Sequence, residues 1–240
     1  MRRILQRNPI PHHIWYNVTR KIAVLQGLDA VQMAHLRELS TWFLHVKSIT
    51  GVQGLDVTPA MRVTVAAQAC LLILNLDIEY FDNWIEVVLY PGAFRVAHDH
   101  TDAIGLVHHD ANVLSGEAWL RGPVILSWSD VARDSYHSHP GHNVVVHEFA
   151  HKLDGLDGAM NGLPPLRSGM SRQRWAADMS AAYAALQDDL VAARPACINP
   201  YAATSPAEFF AVLSEYFFTG PELLKAACPD AYRQLSLFYK

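Results

Sequence analysis

An apolar stretch in the second half of the chain contains two histidines and a glutamate, in the order His147-Glu148-Phe149-Ala150-His151. Val144 to Val146 precede this motif, and Pro140-Gly141 interrupts the chain just before it, so we expect a helix from about His142 to Leu153. Residues four apart lie on one face of a helix, which allows both imidazoles to reach one metal ion. Polar side chains inside an apolar helix need such a partner, and the pattern predicts a metal site.

The motif gives its polar residues different expected roles. In the HExxH pattern of zinc peptidases, the two histidines bind the metal and the glutamate acts as the general base. His147 and His151 are therefore the candidate ligands, and Glu148 is the candidate base that activates a water molecule. A catalytic zinc usually has three protein ligands and one position for water. The sequence thus predicts one Zn²⁺ per chain and a third ligand further along.

Two downstream glutamates are candidates for the third ligand. Glu208 is the first choice, and Glu215, seven residues later on nearly the same helix face, can accept a hydrogen bond from a ligand histidine. The segment from Ser205 to Glu208 also fits a capping box, with serine at the cap and glutamate three residues later. In that case Glu208 would bond to the backbone, and Glu215 would replace it at the metal.

Other polar residues near the motif have weaker claims on the metal. Asp154 and Asp157 follow the motif helix, where a loop commonly places polar residues, and we expect Asp154 to support a ligand rather than to bind the ion. Seven further histidines lie in predicted polar loops: His98, His100, His108, His109, His137, His139 and His142. We expect these side chains to be solvated.

Helical periodicity occurs on both sides of a short strand-rich region. The helical segments are Gly27 to Lys47, Thr58 to Asn75, Arg172 to Arg194 and Ser205 to Phe218, followed by shorter helices from Pro221 and Pro229. The strand candidates are Trp84 to Tyr90, Glu117 to Arg121 and Val124 to Trp128. This order predicts a mainly helical α+β fold with a small mixed or antiparallel sheet. The HExxH helix makes the expected fold zincin-like. Residues 1–78 would form an N-terminal helical part packed on a catalytic domain of residues 79–240.

Charge and composition argue against several classes of partner. The net charge of −4, without a cluster of Lys and Arg, does not indicate direct binding to nucleic acid. The apolar run from Val63 to Leu76 is too short to span a bilayer, and the first residues lack the apolar core of a signal peptide. The cysteines Cys70, Cys197 and Cys228 lack the close spacing of redox or zinc-ribbon motifs. We therefore expect a cytoplasmic protein without a membrane partner.

Several strings that include the candidate ligands resemble one known family. The strings are His147 to Asp154, Ser205 to Ala211, Ser214 to Phe218, Val124 to Trp128 and Asn143 to Val146. Together they look like the Mlc titration factor A family of bacterial zinc peptidases, and the likeness extends over most of the chain from about Ile4. The combined strings are specific, whereas HExxH alone is a short pattern.

The resemblance adds roles that spacing alone does not supply. It implies an active site similar to that of the anthrax lethal factor catalytic domain, where a catalytic tyrosine precedes the glutamate ligand by seven residues. Tyr201 stands seven residues before Glu208, so the resemblance implies that Glu208 is the third ligand and that Tyr201 donates to the oxyanion. It also implies an aminopeptidase-like activity, and binding to the Mlc repressor that controls glucose phosphotransferase genes.

A peptide substrate would need a surface to bind. The strand formed by Val124, Ile125, Leu126 and Ser127 could offer an open edge on which an extended peptide adds by main-chain hydrogen bonds. The alternative to an enzyme is a non-catalytic protein that sequesters the repressor and contains a structural zinc. A structural zinc is closed by a fourth protein ligand, whereas a catalytic zinc keeps one open position, so coordination number distinguishes the two.

Overall fold

Helices form most of the chain that the computed structural model describes, which comprises Leu5 and residues 9–92, 122–137 and 139–240. The helices are α1 (His12–Thr19), α2 (Ala30–Val46), α3 (Pro59–Leu72), α4 (Trp128–Tyr136), α5 (Val144–Asp154), α6 (Arg172–Val191), α7 (Pro206–Thr219), α8 (Pro221–Ala227) and α9 (Pro229–Tyr239). The strands are β1 (Ser48–Gly51), β2 (Glu86–Tyr90) and β3 (Val124–Ser127). The predicted α+β class, with helices predominating, is confirmed.

The three strands form one parallel sheet in the order β1-β2-β3. Ser48 pairs with Glu86 across the first interface, and Val87 pairs with Val124 across the second. The mixed or antiparallel sheet expected from the sequence is therefore wrong. The chain passes from β1 to β2 through α3, and a helical crossover of this kind returns the chain in the same direction, which makes neighbouring strands parallel.

Two elements at the sheet differ from the sequence prediction. β1 buries only Ile49, so it lacks the alternating apolar pattern by which strands are recognised. Trp128 does not end a strand but begins α4, because the hydroxyl of Ser127 caps that helix. The strand expected from Glu117 to Arg121 lies outside the described residues.

α3 connects the N-terminal helices to the motif helix. It begins as the sequence predicts, with the Thr58 hydroxyl accepting a backbone hydrogen bond at 3.2 Å and Pro59 in the first turn. Eleven of its residues are buried, and it packs against α1 and α2 on one side and α5 on the other. The apolar run noted in the sequence is thus a core helix, and no helix among the described residues is long and apolar enough to cross a bilayer.

Four aromatic side chains pack against one another under α5. Phe43, Phe81, Trp84 and Phe149 are at most 3% exposed, and their ring centroids lie 5.3–6.0 Å apart. Such pairs contribute about 0.5–1.5 kcal/mol each beyond simple burial. Phe149 stands two residues after the first motif histidine, on the opposite face of the helix. The aromatic cluster therefore anchors the face of α5 opposite the histidines. The histidine face of α5 is left free of these rings.

A tight turn precedes α5 and contacts α7. Gly141 has a φ of 74°, and its N–H donates to the Thr219 hydroxyl at 2.8 Å. A Cβ at this position would lie 2.3 Å from the ring of Tyr216 on α7. Glycine is required here both for the left-handed backbone and for the close approach of the two helices.

Gly141→Ala should lower the free energy of unfolding by about 1–3 kcal/mol more than Gly158→Ala does. Both changes place alanine in the left-handed region, since φ is 74° at Gly141 and 91° at Gly158, but an added methyl at Gly158 meets no atom within 4 Å. Urea unfolding of the two variants measures the difference. Equal losses would show that only the backbone conformation matters and that the contact with Tyr216 does not constrain the turn.

Candidate metal centre

α5 presents both motif histidines on one face. The ring centroids of His147 and His151 are 4.9 Å apart with planes at 82°, and their Nε2 atoms are 3.2 Å apart. The first turn of the helix is held at two points, because Asn143 Oδ1 accepts one backbone N–H and Asp134 Oδ2 accepts another, each at 3.0 Å. These acceptors satisfy N–H groups that have no partner within the helix, and so fix the start of α5.

Glu208 projects from the first turn of α7 towards these imidazoles. Its Oε2 lies 3.0 Å from His147 Nε2, and its Oε1 lies 3.4 Å from His151 Nε2. Ser205 does cap the helix, since its hydroxyl accepts the Glu208 N–H at 3.1 Å. Only the serine half of the capping box is therefore present, because the carboxylate reaches the imidazoles instead.

Glu215, two turns further along α7, contacts the other nitrogen of the first histidine. Its Oε1 lies 2.8 Å from His147 Nδ1, and its Oε2 accepts the Asn143 N–H at 2.6 Å. Because a carboxylate accepts hydrogen bonds, Nδ1 carries a proton, and Nε2 is the nitrogen that faces Glu208 and His151. Glu215 thus orients His147 rather than joining the group of three that faces one point.

The three converging side chains fit a divalent metal ion. One donor atom from each of His147, His151 and Glu208 lies within 4.8 Å of the other two. A tetrahedral ion with bonds of about 2.0–2.2 Å holds its ligand atoms about 3.3 Å apart, and the two Nε2 atoms are 3.2 Å apart. Glu208 places Oε2 3.0 Å from His147 Nε2 and Oε1 3.4 Å from His151 Nε2, so its carboxylate lies within reach of the same ion. Glu208 Oε2 is buried and faces His147 Nε2. An acceptor in that position is available to a cation.

The protonation states of Glu208 and His147 depend on each other. Burial raises the pKa of Glu208, but the two imidazoles outweigh burial and hold the pKa well below its usual range. Burial lowers the pKa of His147, but Glu208 and Glu215 outweigh it and raise the pKa well above its usual value. In the metal-free protein His147 therefore carries a second proton, on the Nε2 that faces Glu208, and a bound cation would displace that proton.

The site is open to solvent and has further polar groups nearby. The three side chains are 13–20% exposed, so small molecules can reach them. Glu148 is half-buried on α5 between the two histidines. Tyr201 lies in the short Pro200–Ala203 helix, 40% exposed, with its ring centroid 6.2 Å from that of His147. The structure thus brings the predicted tyrosine beside the first candidate ligand.

Asp154 ends α5 inside the core. It is fully buried, its Oδ2 accepts the Gly162 N–H at 2.9 Å, and its Oδ1 has no partner among the described residues. His151 Nδ1 is likewise buried without a partner there. The structure therefore places Asp154 under the loop that follows the motif helix. Asp157 lies on the surface of that loop, 3.9 Å from Arg172.

The remaining candidates occupy different surroundings. Val124 and Leu126 of β3 are buried, Ile125 is half-buried, and Ser127 caps α4 through its hydroxyl. β3 packs against α5.

Three of the loop histidines are exposed and lie outside the converging group: His137, His139 and His142. The other four lie outside the described residues: His98, His100, His108 and His109.

The polar residues that hold α5 in place were not among the candidates that the sequence supplied. Asn143 directly precedes an apolar run, which is the usual signature of a helix cap and could have been recognised. Asp134 and Gln68 gave no signal, because they reach α5 from separate helices.

Asp154→Asn should raise the free energy of unfolding of the metal-free protein at pH 7 and flatten its pH dependence. Burial raises the pKa of Asp154 to about 6, from an ordinary value of 3.8. The stability that the protonated form contributes is therefore complete below about pH 4 and is lost as the pH rises through 6, by up to about 3 kcal/mol. Unfolding curves at pH 4 and pH 7 measure this, and identical pH profiles for both proteins would contradict the assignment.

Comparison with known proteins agrees with this geometry. The sequence profile of the glucose-regulated metallo-peptidase M90 family matches residues 1–240. Mlc titration factor A of Klebsiella pneumoniae is 42% identical over 224 residues, which cover 91% of this chain and 83% of the relative. Mlc titration factor A of Salmonella schwarzengrund is 41% identical over 230 residues, covering 94% and 85%. The family resemblance drawn from the sequence is confirmed, and the chain belongs to the glucose-regulated metallo-peptidase M90 family.

Proposed function

We propose that this protein is a zinc-dependent peptidase of the aminopeptidase type, with one Zn²⁺ bound by His147, His151 and Glu208. The observation that supports this most strongly is the convergence of the two Nε2 atoms and the Glu208 carboxylate at separations of 3.0–3.4 Å, with Glu148 on the same helix as the histidines. Two nitrogens and one carboxylate oxygen form a donor set that is common for catalytic zinc.

Each side chain at the site then has a chemical task. When bound, Zn²⁺ supplies Lewis-acid polarisation of a carbonyl group and lowers the pKa of a coordinated water from about 15.7 towards 7. Glu148 removes the proton from the attacking water and delivers it to the leaving amine. Glu148 follows the first motif histidine on the same helix, which would allow its carboxylate to reach a water at the metal.

Two further residues act on the substrate and on the ligands. Tyr201, at the exposed rim beside His147, donates a hydrogen bond to the oxygen that becomes negatively charged. Glu215 keeps the Nδ1 proton of His147 in place and so directs Nε2 to the metal. Asp154 supports the metal centre indirectly, by holding the loop after α5 through the Gly162 N–H.

The peptide itself would bind along β3. The backbone of Val124, Ile125, Leu126 and Ser127 pairs with β2 on one side, and among the described strands none pairs with its other side. Because β3 packs against α5, an extended peptide added at that side would lie near the motif helix. Ser127 contributes through its backbone only, since its hydroxyl caps α4.

A regulatory role accompanies the proposed hydrolysis. The relatives are named Mlc titration factor A, and we extend an interaction with the Mlc repressor, in the cytoplasm, to this chain. A purely sequestering protein with a structural zinc would need a fourth protein ligand. Among the described residues, only three ligand groups converge, which favours an open, catalytic metal over the structural alternative.

Glu148→Gln should keep bound zinc and lose hydrolysis of an aminoacyl p-nitroanilide by about 10²–10⁴-fold. The amide preserves the size of the side chain but cannot accept the proton from water. Turnover and zinc content, measured on the same preparation, separate the two effects.

Glu208→Ala is the matched control, since it removes a carboxylate of the ligand group and should lose zinc and hydrolysis together. Wild-type turnover in Glu148→Gln would remove Glu148 from the mechanism. Loss of zinc from Glu148→Gln as well would assign the residue to metal binding instead.

A further inference from the structure

A continuous chain of buried hydrogen bonds runs from α4 through α3 to the first metal ligand. We infer that Gln68 and Asn143 are positioning residues of the metal centre, acting through Glu215 on His147. The inference rests on the proposed function, because the residue that is positioned is a proposed zinc ligand. It gives α3 an indirect part in the metal site, through Asn143 and Glu215.

The chain begins at Ser135 on α4. Its hydroxyl donates to the Val131 carbonyl at 2.5 Å, so the oxygen is left to accept a hydrogen bond. Gln68 Nε2 lies 2.8 Å from that oxygen and 3.1 Å from the Thr64 carbonyl, and both are acceptors. The amide nitrogen of Gln68 must therefore face this side, and its oxygen must face the other way.

The orientation of Gln68 determines that of Asn143. Gln68 Oε1 lies 2.8 Å from the Asn143 side-chain amide, so Asn143 must present Nδ2 to it and Oδ1 to the helix. Asn143 Oδ1 then accepts the Val146 N–H at 3.0 Å and caps α5. With the opposite amide orientation, Asn143 would present a donor to a backbone donor, and the cap would be lost.

Asn143 is linked to His147, the proposed metal ligand, through Glu215. Its backbone N–H donates to Glu215 Oε2 at 2.6 Å, while Glu215 Oε1 takes the proton of His147 Nδ1 at 2.8 Å. One carboxylate thus links the cap of α5 to the tautomer and ring orientation of His147. Groups that hydrogen-bond a metal-bound histidine fix its orientation and affect metal affinity.

The complete burial of Gln68 argues against a role in packing alone. Gln68 is 0% exposed in a helix whose other core side chains are largely apolar. An apolar residue of similar size would avoid the desolvation of an amide in such a place. The cap of α5 explains Asn143 by itself, but it does not explain why a buried glutamine holds the side-chain amide of that residue.

The test compares Gln68→Met with Gln234→Met, a matched change at a second buried glutamine. Gln234 is 3% exposed and bonds to Asp178 on α6, at 2.6 Å, rather than to the metal centre. Zinc affinity is measured by competition with a chelator, the Co²⁺-substituted protein is compared by its visible absorption spectrum, and stability is measured by urea unfolding. None of these readouts depends on turnover.

Both variants should be less stable than the wild type, but only Gln68→Met should bind zinc about tenfold more weakly and alter the Co²⁺ spectrum. Unchanged affinity and spectrum in Gln68→Met, or equal weakening in Gln234→Met, would overturn the inference while the proposed peptidase stands. A wild type that binds no zinc would instead overturn the proposed function.

Asn143→Ser provides a second measurement if Gln68→Met does not fold. Serine keeps a helix cap, but its shorter side chain lacks the amide N–H that donates to Gln68 Oε1. It should weaken zinc binding to a similar degree, and the double variant should bind no more weakly than either single one, since both changes break the same link. Additive losses in the double variant would show that the two residues act independently and would contradict the inference.

Discussion

The carboxylate of Glu215 joins the two helices on which the metal centre depends. One oxygen holds the imidazole of His147 and the other holds the backbone at the start of α5, at 2.8 and 2.6 Å. Since both oxygens are engaged, α7 cannot slide along α5 without breaking a buried, charge-assisted hydrogen bond. The distance from Glu208 to the two imidazoles follows from this constraint, because Glu208 lies two turns earlier on the same helix.

Packing on the remaining faces keeps these helices in place. The aromatic cluster around Phe149 supports the side of α5 that faces away from the histidines. Tyr216 lies against Gly141 at the turn before α5, which brings α7 close to the start of the motif helix. A metal site needs its ligand atoms placed within a few tenths of an ångström, and rigid packing of this kind supplies that accuracy without the ion.

The candidate site was largely predictable from the sequence, whereas the sheet was not. HExxH fixes His147 and His151 by the helical repeat, and the seven-residue spacing from Glu208 to Glu215 puts both carboxylates on one face of α7. Strand direction depends on how the chain crosses between strands, and β1, with Ile49 as its only buried residue, left no pattern to detect. Gln68 could not be found either, because its partners come from separate helices and share no spacing.

A crystal structure of the zinc-loaded protein, with anomalous data collected at the zinc edge, would locate the bound ion. We expect a single strong peak bonded to Nε2 of His147, Nε2 of His151 and a carboxylate oxygen of Glu208, with Glu215 still on Nδ1 of His147 and no fourth protein ligand. A peak at other residues, or a fourth protein side chain that completes the tetrahedron, would contradict this expectation.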